Sequence, residues 1–241
     1  MVANTIDTSI QICRSCGEKG TGNYCSLCGQ IYKPKHITLQ NLIHEVFHYF
    51  THADKGILFT IKELIRHPGT MQRHYIEGDR ARHQKPFSMF FLCGTICGLA
   101  YYFINLAYRN IYGTTDFREE FFFRHYFILI QALLAPIYAL ITWVVFRNNK
   151  YNYAEVLVSM LYTLGFVFLI IIPINALKLI FPNLETKYIE LAFLLPYTII
   201  TNLNFFKYSS LWVDILKSLV TISIVYVLSN AVQQLIIHLI K

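Results

Sequence analysis

The stretch AEVLVSMLYTLGFVFLIIIPINALKLI, residues 154–180, decides the fold of this chain. Its only charged side chains are Glu155 and Lys178, which lie close to its two ends. A helix of about 20 apolar residues crosses the roughly 30 Å hydrocarbon layer of a bilayer, because the helix pairs its own backbone polar groups. The stretch from about Ala154 to Ile180 therefore predicts a transmembrane helix, interrupted by Pro173.

Four other apolar stretches are long enough to span a bilayer as helices. They run from about Phe87 to Tyr108, Tyr126 to Phe146, Ile189 to Phe206 and Leu219 to Ile240. Pro136 lies inside the second span and Pro196 inside the fourth. The sequence therefore predicts an all-α integral membrane protein with about five transmembrane helices, and residues 87–241 form the transmembrane domain.

Composition and charge agree with this fold class. Apolar residues make up 55% of the chain and charged residues only 15%, whereas soluble domains carry about 25% charged residues. Residues 1–86 hold 11 of the 21 Lys and Arg, 7 of the 14 Asp and Glu and 7 of the 9 His. A polar N-terminal part thus precedes a membrane-embedded part, and the polar N-terminus predicts no cleavable signal peptide.

Two cysteine pairs stand at the start of the polar part. Cys13 and Cys16 form one Cys-x-x-Cys turn, and Cys25 and Cys28 form the next. Two such turns supply the four sulfurs of a closed tetrahedral zinc site, which is typical of structural rather than catalytic zinc. Residues 1–34 are therefore predicted to form a small cytosolic zinc ribbon, for which metal binding supplies most of the folding energy.

Other interpretations of the cysteines remain open at this point. Iron is a competing metal, and two disulfides or redox dithiols are the alternatives to a metal. A cytosolic location argues against disulfides. The remaining two cysteines, Cys93 and Cys97, lie one helical turn apart in the first span and are predicted to be small buried apolar side chains.

The distribution of Lys and Arg predicts the orientation in the membrane. Arg80, Arg82 and Lys85 precede the first span, and the connection between Arg147 and Lys150 is basic without acidic residues. Basic loops stay on the cytosolic side. The N-terminus and the second and fourth loops are therefore expected inside, and five spans then place Lys241 outside.

Short amphipathic helices are predicted between the ribbon and the spans, in residues 35–86. Thr38 can cap a helix with an apolar stripe made of Leu39, Leu42, Ile43, Val46, Phe47 and Phe50. Two more short helices follow, one ending at Pro68 and one ending at Gly78. They are too short to span, so they either lie in the headgroup interface or pack on the inner ends of the spans.

The sequence His44-Glu45-Val46-Phe47-His48 matches the zincin motif H-E-x-x-H. Two histidines four residues apart share a helix face and can bind a metal, while the glutamate activates a water molecule. A histidine-rich, solvated helix face explains the same residues. We therefore predict no catalytic residue, with His44, Glu45 and His48 as the candidates for a membrane metalloenzyme.

Polar amides lie inside the predicted spans, namely Asn175, Asn202, Asn230, Gln233 and Gln234. Such amides most often form hydrogen bonds between helices. The alternative is a polar path for a substrate. A water-filled cavity lined by Asn175, Asn202 and Asn230 would favour that alternative.

The chain resembles a bacterial family of membrane proteins that carry an N-terminal zinc ribbon and a multi-span domain and have no assigned activity. The shared order is C-x-x-C-G, Y-C-x-x-C-G-Q, D-K-G-x-L-x-T, H-P-G, Y-I-E-G-D-R and K-P-F, found here at Cys13 to Gln30, Asp54 to Thr60, Pro68-Gly69, Tyr75 to Arg80 and Pro86. The five-span layout is also similar to that of the Yip family of trafficking proteins, at the level of fold alone. The resemblance implies a multi-pass protein of the bacterial inner membrane.

Three functions follow as hypotheses. The first is a non-enzymatic scaffold or regulator whose ribbon recruits a cytosolic or membrane partner, and the bundle forms a homo-oligomer or joins a complex. The second is a transporter or lipid-handling protein, and the third is the H-E-x-x-H metalloenzyme. Nucleic acid is not an expected partner, because Arg14 and Lys19 are the only basic residues between Cys13 and Cys28.

Overall fold

The computed structural model describes residues 10–34, 36–41, 56–113, 121–122, 125–147, 150–207 and 210–239. In the polar part, strands β1 (Gln11–Ile12) and β2 (Lys19–Gly20) pair antiparallel, followed by helices α1 (Ile57–Arg66) and α2 (Thr70–Glu77). The long helices are α3 (Pro86–Tyr112), α4 (Phe127–Val145), α5 (Tyr153–Ala176), α6 (Thr186–Phe206) and α7 (Leu211–Leu239). A 3₁₀ turn, Leu177–Leu179, continues α5.

The all-α multi-span fold is confirmed, since five helices are long and apolar enough to cross a membrane. The largest difference from the predicted bounds is in α7, which begins at Leu211 rather than Leu219. Asp214 and Lys217, predicted in a loop, therefore lie in its first turns. An acidic side chain in a first turn is favoured by the partial positive charge of the helix N-terminus, and Asp214 is buried there.

Helix α5 is the centre of the bundle. Within its most apolar window, 61% of the residues are buried, against 22–33% in the other four spanning helices. Helices α4, α5, α6 and α7 form a ring in which each contacts the next and α7 contacts α4. Helix α3 packs along α5.

Glycine allows the close approach of α3 and α5. A Cβ atom added at Gly165 would lie 3.3 Å from the Met89 carbonyl oxygen, and one added at Gly94 would lie 3.3 Å from the Phe168 ring. Cys93 and Cys97 are buried beside this contact, at 0% and 3% exposure. Their predicted role as small apolar side chains agrees with this burial.

The short helices α1 and α2 pack on one end of the bundle. Gly69, just before α2, has φ of 79°, and an added Cβ would lie 2.1 Å from the Thr201 carbonyl oxygen of α6. Asn204 donates from Nδ2 to the Pro68 carbonyl oxygen at 2.9 Å. Of the two predicted placements, packing on the spanning helices therefore describes α2, while Leu58 of α1 is 79% exposed.

The ribbon, α1, α2 and the C-terminal ends of α4 and α6 share this end, here called the ribbon-side end. The ring stack of Phe146 on Phe206 joins the ends of α4 and α6, with centroids 4.1 Å apart. The Tyr162 hydroxyl donates to the Gln84 carbonyl oxygen at the start of α3. The alternation of loops agrees with the predicted layout, in which the N-terminus and the second and fourth loops lie on one side.

Candidate functional site

The two cysteine turns have the same local structure. The Cys13 N–H donates to the Glu18 carbonyl and the Gly17 N–H to the Cys13 carbonyl; Cys25 bonds to Gln30 and Gly29 to Cys25 in the same way. Gly17 and Gly29 have φ of 79° and 72°, a conformation that glycine adopts without strain. The repeated C-x-x-C-G sequence thus builds one turn twice.

These turns bring four sulfur atoms together. The Sγ atoms of Cys13, Cys16, Cys25 and Cys28 all lie within 4.8 Å of one another. Cys13 and Cys28 are 3.5 Å apart at sulfur, as are Cys16 and Cys25, so each contact joins one turn to the other. All four are free thiols, in conflict with the disulfide alternative.

The geometry and the donor set fit a single metal ion. A tetrahedral ion with metal–sulfur bonds of about 2.3 Å requires sulfurs about 3.8 Å apart, close to the spacing found here. Among the described residues, the apolar cluster around the sulfurs consists only of Cys13, Cys25, Cys28 and Tyr32. A core this small gives little packing energy, so a bound ion would supply most of the stability of the ribbon.

The thiols also differ in acidity. Hydrogen bonds from the backbone N–H groups of Cys28 and, to a smaller extent, Leu27 lower the pKa of the Cys25 thiol. Burial acts in the opposite direction, and the pKa of Cys25 is about 6. Burial, followed by the sulfurs of Cys13, Cys16 and Cys25, raises the pKa of Cys28 to about 12. Neighbouring thiolates repel one another, so it is unfavourable for all four thiols to lose their protons. A cation bound among the four sulfurs would offset this repulsion.

The ribbon docks on the loop that follows α2. Gln30, buried at 7% exposure, accepts the backbone N–H groups of Arg80 and Ala81 at its Oε1, at 3.2 and 2.8 Å. Arg14 donates to the Glu77 carbonyl oxygen. Gly78 leaves room for the ribbon, because an added Cβ would lie 2.3 Å from the Pro34 side chain.

Asp79 stands in this docking surface. Burial opposes ionisation, but His83, Arg82 and Ser15 lower the pKa of Asp79 to about 2. Arg82 donates from Nη2 to Oδ2 of Asp79 at 2.7 Å. The carboxylate is therefore charged at neutral pH and pairs with residues of its own loop while facing Ser15 of the ribbon.

The chain after the ribbon is tied to the N-terminus of α5. Asn152 and Glu155 form a capping box, in which each side chain accepts the other residue's backbone N–H at 3.0 Å. Glu155 also contacts His36 Nδ1 at 3.0 Å, and Asn152 donates to the Ile37 carbonyl. Glu155, which the sequence places near the end of a span, is buried at 3% exposure because of these contacts.

Motif residues far apart in sequence meet around this docking surface. Thr60 accepts the Gln84 N–H at 2.8 Å and donates to the Gly56 carbonyl at 2.8 Å. A Cβ added at Gly56 would lie 2.6 Å from the Arg82 carbonyl oxygen. The sequence analysis identified these motifs but did not predict that they form one docking surface. The order of the motifs along the chain was the only signal of this in the sequence.

A second candidate site is a cleft of about 270 Å³ inside the ring of α4, α5, α6 and α7. Its polar lining residues include Gln131, Tyr138, Thr142, Ser159, Thr163, Asn175, Thr198, Asn202, Thr221, Ser229, Asn230 and Gln233. Asn175, Asn202 and Asn230 all line this cleft, which is the arrangement that favours a polar path for a substrate. Along α6 the lining runs from Thr186 to Phe206, about 30 Å for a helix of this length.

The polar groups of the spans agree with the predicted hydrogen bonds between helices in part. Two pairs join helices, Asn175 Nδ2 to Glu190 Oε1 at 3.0 Å and Gln131 Nε2 to Ser229 Oγ at 3.4 Å. Asn230 instead donates to the Tyr226 carbonyl of its own helix at 2.9 Å. Gln234, another of the amides in the spans, is exposed and does not line the cleft.

One buried polar side chain in the cleft wall has no hydrogen-bond partner within the described residues. It is the Tyr138 hydroxyl, at 1% residue exposure. A buried polar group without a partner costs about 1–3 kcal/mol. Water or a bound molecule in the cleft would therefore have the Tyr138 hydroxyl to pair with.

The two ends of the cleft differ. All charged lining residues, Lys178, Lys187 and Glu190, lie at the end away from the ribbon, and Lys187 is exposed there. At the ribbon-side end, Phe206 lines the cleft and stacks on Phe146, over which Lys217 Nζ lies 5.6 Å from the ring centroid. One end thus reaches the surface between charged groups, while aromatic rings cover the other.

The catalytic candidates His44, Glu45 and His48 lie outside the described residues. The same holds for the apolar stripe of the predicted amphipathic helix, apart from Leu39. The metalloenzyme hypothesis accordingly stays a prediction. The four predicted metal ligands are brought together, as described above.

Comparison with known proteins found a family match over part of the chain. Comparisons with curated proteins and with solved structures found no match. Residues 54–98 match a family described as "Protein of unknown function (DUF3667)". The matched segment covers α1, α2, the loop on which the ribbon docks and the first part of α3.

Proposed function

We propose that this protein binds a small molecule in the cleft between its spanning helices, as a transporter or lipid-handling protein does. The observation that carries the proposal is the cleft itself, which extends along most of the length of α6. Its lining combines apolar side chains with polar ones, among them Asn175, Asn202 and Asn230. Membrane proteins place polar groups inside a bundle at considerable cost, and such groups commonly mark substrate paths.

The proposal can be tested by what the purified protein carries out of the membrane. Thr198 lines the cleft and Ile200, on the same helix, is 46% exposed on the outside. Thr198→Phe fills the cleft, and Ile200→Phe adds a ring to the outer surface as the matched control. Mass spectrometry of extracted small molecules should find a species bound to the wild type and to Ile200→Phe and missing from Thr198→Phe.

The same experiment has a clear contrary result. If all three proteins, folded and equally stable to heating, carry the same small molecules, the cleft binds nothing and the proposal fails. Thermal unfolding of each variant shows whether the added ring has damaged the fold instead.

We infer that the metal of the ribbon is zinc in a structural role. Four thiolates without a carboxylate or an open position favour zinc over harder metals, although iron shares the preference for this donor set. Elemental analysis should find about one zinc per chain, lost from a Cys25→Ser and Cys28→Ser double variant. A preparation with iron in place of zinc would contradict the assignment.

A scaffold or regulatory role for the ribbon is the second candidate function. Apolar ribbon side chains remain exposed after docking, among them Ile12 at 62%, Tyr24 at 62% and Leu27 at 70%. Exposed apolar groups on so small a module can bind a protein partner. A partner that copurifies in mild detergent should be lost from Leu27→Glu and retained by Lys19→Glu, an exposed change without loss of apolar surface.

The location inferred here is the inner membrane of a bacterium, with the ribbon in the cytosol. The support is the basic excess before α3. An impermeant thiol reagent applied to intact cells should label a cysteine introduced at Asp116 and leave one at Asn149 unlabelled. The opposite pattern would reverse the orientation.

A further inference from the structure

The end of the cleft away from the ribbon carries an excess of positive charge. Lys178 follows α5 and Lys187 lies in the first turn of α6, and both line the cleft. Neither lysine forms a close ion pair with a described residue, but both lie near enough to Glu190 to interact with it electrostatically. Glu190 also accepts a hydrogen bond from Asn175 at 3.0 Å, and with two lysines and one glutamate the net charge at this end is positive. The N-terminus of α6, at Thr186, adds a partial positive charge to the same place.

Beyond this end, the lining of the cleft carries no charge among the described residues. The wall is a mixture of hydroxyls, amides and large apolar groups, the latter including Leu164, Val167, Phe168, Ile171 and Leu194. A volume of about 270 Å³ spread over about 30 Å describes a narrow slot, which fits an unbranched chain better than a ring system.

We propose that the cleft takes a single-chain amphiphile whose anionic head, a phosphate or carboxylate, binds between Lys178 and Lys187. The neutral chain then lies in the slot beside Asn175 and extends toward Asn202 and Tyr138. This inference rests on the proposed function, because it names the chemical class of the molecule that the cleft binds. Lysine is a common partner of phosphate and carboxylate groups.

The test measures binding to the full-length protein in a neutral maltoside detergent. The probes are dodecyl phosphate, inorganic phosphate and the neutral monododecanoyl glycerol, each titrated against thermal unfolding. Dodecyl phosphate should bind most tightly. Lys178→Gln with Lys187→Gln should weaken dodecyl phosphate about tenfold or more and leave the neutral probe unchanged.

Lys62→Gln is the matched control, since Lys62 is an exposed lysine of α1 at the ribbon-side end. It should leave all three affinities as in the wild type. If the double variant does not fold, Lys187→Gln alone carries the test, because Lys187 is exposed and its replacement disturbs little.

Three results would overturn the inference, and they separate it from the proposed function. Equal affinity for inorganic phosphate and dodecyl phosphate would mean that the chain contributes nothing and that a free anion is bound. Equal binding of the neutral probe, unaffected by the lysine variants but lost in Thr198→Phe, would remove the anion site and keep the cleft. No binding of any probe, with no effect of Thr198→Phe, would remove both.

Discussion

The ribbon and the helix bundle are stabilised in different ways. In the ribbon, the apolar cluster consists of Cys13, Cys25, Tyr32 and Cys28. In the bundle, one apolar cluster joins residues of all five spanning helices. Helix α5 contributes most of its length to this cluster, and α7 contributes Ile236 and Ile237 near its end. The stability of the ribbon therefore depends on its four sulfurs, whereas that of the bundle comes from many dispersed side-chain contacts.

This difference indicates where each region can carry function. A closed four-sulfur site leaves no position for a substrate, so a metal bound there would hold the ribbon and its docked surface in shape. The bundle has enough apolar contact to retain polar groups such as Asn202 and Tyr138 around a cleft. We therefore assign ligand binding to the bundle and a structural role to the metal.

Removal of the metal should have the largest effect and should be confined to the ribbon. Binding free energies of structural zinc are about 10–16 kcal/mol, so the Cys25→Ser and Cys28→Ser double variant should unfold this region. Proteolysis should then cut between residues 10 and 34, while circular dichroism keeps the helical signal. Cys93→Ser, which changes a buried cysteine away from the cluster, should keep the metal; collapse of the whole bundle on metal loss would refute the separation.

The next effect concerns the contact between α2 and α6. Gly69→Ala places a Cβ 2.1 Å from the Thr201 carbonyl oxygen at a positive φ, so both steric clash and backbone strain act. We expect a loss of about 2–4 kcal/mol in the free energy of unfolding. Gly113→Ala has a similar φ of 80° but an added Cβ that meets nothing within 4 Å, so it should lose only about 1 kcal/mol. Equal losses in detergent unfolding would show that α2 does not press on α6 as described.

Docking of the ribbon should respond to Gln30. Gln30→Leu leaves the N–H groups of Arg80 and Ala81 without their acceptor, at a cost of about 1–3 kcal/mol. Hydrogen exchange at these two amides should become faster, and the bundle should exchange as before. Gln30→Glu keeps an oxygen acceptor in place and should retain the protection; identical exchange in both variants would mean that Gln30 does not hold the ribbon.

The smallest effect is expected at the exposed ion pair between Lys150 and Glu77. The Nζ–Oε1 distance is 3.2 Å, but the two side chains are 61% and 40% exposed. Exposed pairs contribute about 0–1 kcal/mol. Lys150→Gln should therefore change the unfolding free energy by less than about 0.5 kcal/mol, and a larger loss would show that the ribbon side depends on surface charge.

The sequence predicts much of the fold, because hydropathy over long segments and the Cys-x-x-Cys spacing are local signals. It predicts α4 closely, with Tyr126 to Phe146 expected and Phe127–Val145 found. It fails at the start of α7, where the polar Asp214 and Lys217 looked like loop residues, but Asp214 is buried in the first turn of a helix. Local hydropathy does not include these tertiary contacts.

The candidate sites divide in the same manner. The four metal ligands are readable from spacing alone, while docking through Gln30, Gly78 and Arg80 depends on residues 50 positions apart. The polar amides of the spans were visible in the sequence, but whether Asn202 faces a neighbour or a cavity depends on how the ring closes. A single sequence does not contain that information.

The central claim, that the cleft is an open binding site within the bundle, can be tested most directly by chemical access. Thr198→Cys places a thiol in the cleft, and Ile200→Cys places one on the outer surface of the same helix. A water-soluble, charged thiol reagent should label the purified Thr198→Cys protein in detergent faster than Ile200→Cys, with the wild type as the blank. Equal rates, or faster labelling of Ile200→Cys, would contradict an open cleft.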